Sequence, residues 1–366
     1  MSAGRYKAFL FTLWLSGYFP FHNPLDLTVK KGLRIRQTLT LAWSLVLMIY
    51  PLVFFLDMHF SLPVLPSAGS DRLSSTIPWF ICLASQFVIN ASLRLFSIFN
   101  SGKWVELVEN LHPFKTYAEK TTAAGLRKWT WHRLVWLVYA GQCSGQAFRT
   151  VYDLATNGNE LKGLKLLSVP EQTVLRFFTF HLVRIVMISC ILPPWHFVVT
   201  FGSDLIQAHE SICAEVAEIL VNADPTIAVI TQGGKTSGPR LNKAHMRVAQ
   251  IQERFTNLKK CFKIYEQIAG FYVFCILWWI FVVIVTFFSS LTSYNWNWTD
   301  VLKKADAINY GAWSILFIYM VASFGEYMAT SIEKGREAIS DALGRLGAAR
   351  ILEGKQQVMT VNYLFR

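Results

Sequence analysis

Residues 203–265, SDLIQAHESICAEVAEILVNADPTIAVITQGGKTSGPRLNKAHMRVAQIQERFTNLKKCFKIY, form one long polar interval between two strongly apolar runs, 177–201 and 268–291. After Asp204, the residues Leu205, Ile212, Val216 and Ile219 or Leu220 fall near one helical face, and no breaker separates them from the preceding apolar run. Residues 224–239, with Pro225, Gly233, Gly234, Gly238 and Pro239, read as a flexible break. From Leu241 the pattern resumes through Met246, Ile251, Phe255, Leu258 and Phe262 and runs into the next apolar segment. The interval therefore predicts a helical hairpin, 202–265, continuous with the flanking membrane-length helices.

Working outward, 53% of the 366 residues are hydrophobic and only 16% are charged, with a mean hydropathy of +0.34. That is too apolar for an ordinary water-soluble domain. A hydrocarbon layer about 30 Å thick needs roughly 20 apolar residues in a helix, and it tolerates only internally closed hydrogen bonding. Six runs qualify: 37–56, 77–99, 131–152, 177–201, 268–291 and 308–328. The third is diluted in its outer half by Gln142, Ser144, Gly145, Gln146 and Arg149. The fold class predicted is an all-α polytopic bundle with six transmembrane helices, the fourth and fifth carrying long cytoplasmic extensions. The amphipathic groups Trp104, Val105, Leu107, Val108 and Arg133, Leu134, Trp136 would extend the second and third helices into the same layer.

Lys and Arg are retained on the cytoplasmic side. The N-terminal segment, the second-to-third and fourth-to-fifth connections and the tail carry 25 of them, against six in the alternate connections. This places the N-terminus inside, and a multi-pass protein of the plasma membrane is expected. The predicted divisions are a cytoplasmic N-terminal segment (1–36), helices one to four (37–201), the hairpin (202–265), helices five and six (266–328) and a cytoplasmic tail (329–366). Residues 8–16 lack the small-residue cleavage site of a signal peptide and read as a short interfacial helix. The sequon at Asn297 falls on the outer side as a possible glycosylation site, whereas that at Asn90 sits within a span and is expected to be inert.

The net charge of +12 is explained by basic residues facing anionic lipid, so membrane lipid is an expected partner and nucleic acid is not. The six cysteines, Cys82, Cys143, Cys190, Cys213, Cys261 and Cys275, form no C-x-x-C pair or metal-ligand cluster. Gly234-Lys235-Thr236 resembles the end of a phosphate loop, but Val229 stands where that loop requires glycine. No catalytic motif appears, and neither enzyme activity nor a cofactor is predicted.

Ionisable residues within spans are costly and mark function by default. Arg94 and Glu326, near inner ends, are expected to snorkel to the interface. Arg149, Arg176, His181 and Arg184 instead gather at the outer ends of the third and fourth spans. A candidate small-molecule pocket is drawn from Gln142, Gln146, Arg149, Tyr152, Phe178, His181, Arg184, Tyr310 and Trp313, with Trp79, Phe177 and Phe287 as further aromatics. The competing reading is helix packing through interhelical hydrogen bonds.

The inside N-terminus, the stretch Gly17-Tyr18-Phe19-Pro20-Phe21 and the extended fourth and fifth helices resemble the insect-type gustatory receptors. These belong to the seven-transmembrane chemoreceptor superfamily that includes the insect odorant receptors. The likeness covers the layout to about Arg350 and implies a small-molecule-gated, non-selective cation channel. It also implies a homo- or hetero-tetramer assembled through its cytoplasmic helices, with a small organic tastant bound in the outer half of each bundle. The family's seventh helix, which lines the pore, has no counterpart after Met328, where no membrane-length apolar run follows. On this reading the chain is truncated before that helix. A six-span transporter or a non-conducting accessory protein is the alternative, although no internal repeat is seen and Pro193-Pro194 is the one strong break inside a span.

Overall fold

The computed structural model of the chain describes residues 11–18, 41–49, 52, 70–118, 131, 133–141, 144–145, 191–221, 239–292 and 301–351. Among the described residues the secondary structure is helical, without strands. Five helices have defined bounds: α1 (Ser70–Phe99), α2 (Ser101–Ala118), α3 (Leu192–Val221), α4 (Pro239–Thr292) and α5 (Val301–Ile351). Shorter helical stretches occupy 11–15, 41–49 and 133–141.

At 1.5 Å per residue, the 54 residues of α4 and the 51 of α5 extend about 80 Å and about 75 Å. Each is more than twice a hydrocarbon layer. The amphipathic segment from Leu241 and the apolar run after it are thus one uninterrupted helix. Pro239, read from sequence as part of the loop, is the first residue of α4, where a missing N–H costs nothing. Pro193-Pro194 likewise lies in the first turn of α3 and does not break it from within. The apolar run 308–328 and the charged amphipathic segment after it also form a single helix, α5. Two helices among the described residues are long and apolar enough to cross a membrane, within Gln250–Ser289 and Gly311–Asp341.

The chain divides into two units. The first comprises Met1–Glu106, Thr130–Val199 and Gln267–Ser323, and the second Leu107–Trp129, Thr200–Glu266 and Phe324–Arg366. Their surfaces obey opposite rules. All 22 large hydrophobic side chains exposed among the described residues belong to unit 1, and none to unit 2. In unit 1, α1 buries Gln86, Asn90, Arg94 and Ser97 while exposing Ile81, Val88, Leu95 and Phe99. The stretch 41–49 buries Ser44 and exposes Leu41, Trp43, Leu45, Val46 and Ile49. In water that arrangement is inside out, because an exposed apolar stripe gains nothing and a buried polar face loses hydration. In unit 2 the ordinary order returns: Leu258, Cys261 and Ile264 are buried while Lys259, Lys260, Lys263, Glu333, Lys334 and Arg336 are exposed.

Along the chain α1 and α2 are nearly one helix, α2 beginning in unit 1 and passing into unit 2 at Leu107. The Asn100 backbone N–H and its side-chain Nδ2 both donate to the Phe96 carbonyl, at 3.0 and 2.9 Å, and its own carbonyl accepts from Trp104 N at 3.2 Å. Asn100 thereby closes α1 and opens α2. Of the amphipathic group read from sequence, Trp104, Leu107 and Val108 are buried and Val105 is half-buried; Leu111 continues the buried face at helical spacing. Within unit 1, Trp104 meets Phe197 at 4.4 Å between ring centroids and Tyr272 at 6.3 Å, and Phe197 meets Tyr272 edge-on at 5.4 Å. The Tyr272 hydroxyl is 2.6 Å from Ser97 Oγ.

Within unit 2, α3 and α5 share a close seam. Gly202 lies against Phe324, and His209 with Cys213 against Gly335. The contacts advance together along both chains, so the two segments run parallel. Buried Ile206 and Ser331 fall between these pairs, giving a four-three-four spacing like that of a coiled-coil seam. The α4 segment runs the other way: Tyr265 reaches Gly202, Phe262 meets His209, and Arg254 Nη1 pairs with Glu215 at 3.0 Å. Tyr265 Oη also donates to Met328 Sδ at 3.9 Å.

Candidate functional site

Of the pocket predicted from sequence, Gln142, Gln146, Arg149, Tyr152, Phe178, His181 and Arg184 lie outside the described residues, as do Arg176, Phe177 and the sequon residue Asn297. Tyr310 is placed on α5. Trp313, half-buried on the same helix, is brought against Gly141: a Cβ on Gly141 would lie 2.8 Å from Trp313 Cη2 and 3.1 Å from Cζ2. Gly311 in turn accepts the Phe287 ring, whose nearest carbons would be 3.1 Å from an added Cβ. Two glycines thus let two aromatic rings lie flat against neighbouring backbone within unit 1. Trp313 and Phe287 were both expected from sequence; the glycines that seat them were not.

A second polar group in unit 1 departs from the expectation of snorkelling. Arg94 does not snorkel to a surface: it is 2% exposed. Its Nη1 donates to the Asn90 side-chain oxygen, to the Asn90 carbonyl at 3.3 Å and to the Tyr18 hydroxyl at 3.4 Å. The guanidinium carbon stands 4.7 Å over the Tyr18 ring, a cation–π contact. Tyr18 reaches it through a Schellman turn, in which Tyr18 N donates to Leu13 O and Gly17 N to Trp14 O, both at 2.9 Å. Gly17 has φ of 75°, and a Cβ there would lie 3.2 Å from Arg94 Nε and 3.1 Å from Leu47 Cδ1. Trp43 Nε1 donates to the Leu15 carbonyl at 2.9 Å and Ser44 Oγ to the Gly17 carbonyl at 3.1 Å, closing the end of the short helix. The N-terminal segment read as a short interfacial helix is docked, with Leu13 and Tyr18 fully buried. Asn90, the acceptor of the inner sequon, is also fully buried, and its Nδ2 donates to Leu47 O at 3.4 Å.

Also in unit 1, buried His196 is flanked edge-on by Trp136 and Tyr139, at 5.4 and 5.7 Å between centroids. Among the described residues no group of three or more His, Cys, Asp or Glu side chains is arranged to hold a metal ion.

In unit 2, burial pushes the Cys213 thiol up to about 11, with Glu210 adding to the effect. It is a protonated packing group and a poor nucleophile. Burial lowers the His209 pKa below its ordinary 6.5. Neutral in the folded protein and protonated in the unfolded chain, His209 contributes stability that is present above pH 6.5 and lost as the pH falls below it. The expected outcome is a falling unfolding temperature of the purified chain between about pH 7.5 and about pH 5.5. His209→Gln should flatten that slope, and an identical slope in the variant would contradict this assignment.

No protein-family model matches the chain, and no curated protein matches it in sequence. Among solved structures, the insect olfactory receptor OR5 from Machilis hrabei in complex with eugenol is similar, with a TM-score of 0.51 at 14% identity, over 94% of this chain and 88% of that one. A second structure of OR5 from the same insect gives a TM-score of 0.42 at 15% identity, over 93% of this chain and 88% of that one, a level that carries no argument. The first likeness shows a shared fold.

Proposed function

We propose that the chain is a chemosensory receptor subunit of the gustatory type, a small-molecule-gated, non-selective cation channel. Unit 1 then lies in the membrane and unit 2 in the cytoplasm, with six spans and an inside N-terminus. The observation that carries this reading is the segregation to unit 1 of every large hydrophobic side chain exposed among the described residues, since lipid is the solvent that favours such a surface. The fold shared with an insect olfactory receptor, solved with eugenol, supports a receptor for small organic molecules. The basic excess on one side of the predicted spans supports the orientation.

On this reading Gln142, Gln146, Arg149, Tyr152, Phe178, His181, Arg184, Tyr310 and Trp313 line the ligand pocket, and the cytoplasmic helices of unit 2 join four such subunits. An aromatic wall with a few polar groups suits a small, partly polar organic ligand such as a phenol. The test is whole-cell current from cells expressing the chain, alone and with a related seven-helix subunit, across a panel of such compounds including eugenol. Current is expected, and Trp313→Ala should raise the half-activating concentration about tenfold or more, as loss of a buried aromatic contact does. Surface expression with saturable ligand uptake and no current in any combination would replace the channel with a transporter. Loss of a glycan on Asn297→Gln would place that loop outside; a glycan attached instead to an N-terminal tag sequon would reverse the topology.

A further inference from the structure

We infer that α4 carries a docking face for the polyphosphorylated headgroup of an anionic inner-leaflet lipid, formed by Lys259, Lys260 and Lys263. The inference rests on the membrane placement proposed above. All three lysines are exposed. At 100° per residue they span about 100° of the helix, with Lys263 between the other two, and they rise only about 6 Å along its axis. None of them makes an ion pair among the described residues, whereas Arg254, on the same helix, is paired with Glu215.

Their azimuth is the telling feature. Continued along α4 at the same spacing, it passes exposed Gln267 and Gly270 and then meets Phe274, Leu277, Trp278, Phe281, Val285 and Phe288, which are 64, 44, 48, 59, 46 and 59% exposed. One face of one helix thus changes from bulky and apolar to cationic within the few residues between Gly270 and Lys263. That is a rise of about 10 Å, which carries the lysines past a headgroup layer about 5–8 Å deep. A Cβ at Gly270 would meet nothing within 4 Å, so the position is open among the described residues, and exposed Glu266, at the edge of this face, is the one carboxylate between Lys263 and Trp278.

Height separates the lipid classes. Lys259 and Lys260 stand about 15 Å beyond Gly270 along the axis, too far out for all three ammonium groups to share one glycerol-level phosphate. An inositol ring phosphorylated on its far side carries its charge outward from the bilayer and meets them there. Each lysine near such a surface contributes about 1 kcal/mol, about fivefold in affinity.

The experiment uses the full chain in nanodiscs, with phosphatidylinositol 4,5-bisphosphate compared against phosphatidylserine at matched charge and against soluble inositol trisphosphate as competitor. Energy transfer from the protein's tryptophans to a fluorescent phosphoinositide reads the binding. A preference for the bisphosphate is expected, with affinity falling at least tenfold in the combined K259Q, K260Q and K263Q variant. Unchanged binding in that variant, equal response to phosphatidylserine, or binding of the soluble trisphosphate alone would overturn the inference. So would a change in assembly mass in place of a change in lipid binding, since the face would then meet a second copy. Quenching by brominated acyl chains, and its partial loss in Trp278→Phe, checks the membrane placement separately. Quenching without lipid preference sinks only the docking face, and absence of quenching sinks the placement.

Discussion

Trp104→Ala is expected to cost about 3–5 kcal/mol, the range for truncating a fully buried aromatic. Trp104 is fully buried, and its ring lies among Phe197 and Tyr272, which are carried on α3 and α4. Tyr272 is held in turn by Ser97 and by Phe96, at 6.0 Å between centroids, from α1. Removing the indole takes dispersion contacts from α3 and α4 at once, and the rigid rings around the cavity can collapse into it only partly. The measurement is thermal stability of the detergent-solubilised chain, followed by the fraction surviving as a monodisperse species. Trp104→Phe should retain most of the stability. Tyr272→Phe, which removes the hydroxyl that Ser97 and Trp104 hold, should cost about 1–2 kcal/mol. A Trp104→Ala protein as stable as wild type would show that this cluster is not a core.

Gly335→Ala is the second large effect, and its sign is opposite to that of a neighbouring control. Alanine ordinarily stabilises a helix interior by about 1 kcal/mol over glycine. At Gly335 the new Cβ would lie 2.6 Å from His209 Cε1 and 3.0 Å from Cys213 Sγ. His209 is wedged against Phe262, so the ring cannot swing clear and α3 must shift from α5. A net loss of about 1–3 kcal/mol is expected. Gly202→Ala, whose Cβ would lie 2.6 Å from Tyr265 Oη and 2.9 Å from Phe324 Cζ, should behave alike. Gly344 and Gly325, on the same α5 helix, have nothing within 4 Å of an added Cβ; alanine there should stabilise or be neutral. Equal effects at Gly335 and Gly344 would mean that the α3–α5 seam is not the close contact described.

Legibility of the candidate site was uneven, for a physical reason. Trp313 and Phe287 were named from their position on apolar helices, because a helix's own period says which residues share a level. Gly141 and Gly311 carry no side chain and so leave no mark in a hydropathy pattern, yet they are what seats those rings. Arg94 was misread for the converse reason. Alone in an apolar run, an arginine near a helix end has snorkelling as its cheapest fate. Here its partner Tyr18 lies 76 residues away, and no local pattern announces a cation–π contact at that separation.

The sequence by itself determined the helical class, the long apolar runs, the joining of the amphipathic segment after Leu241 to the run that follows it, and the amphipathic face around Trp104. All of these follow from the period of burial along a single helix, a short-range property. Residues 203–221 and 241–265 were legible as helices for that reason. Tertiary structure alone decided which faces meet. It docked the N-terminal turn under Arg94, ran α3 parallel to α5 through two glycines, and sorted every described exposed large hydrophobic side chain into one unit. Those outcomes depend on contacts between residues far apart in the chain, and the steric fit of a ring against bare backbone is set only when two helices are brought together.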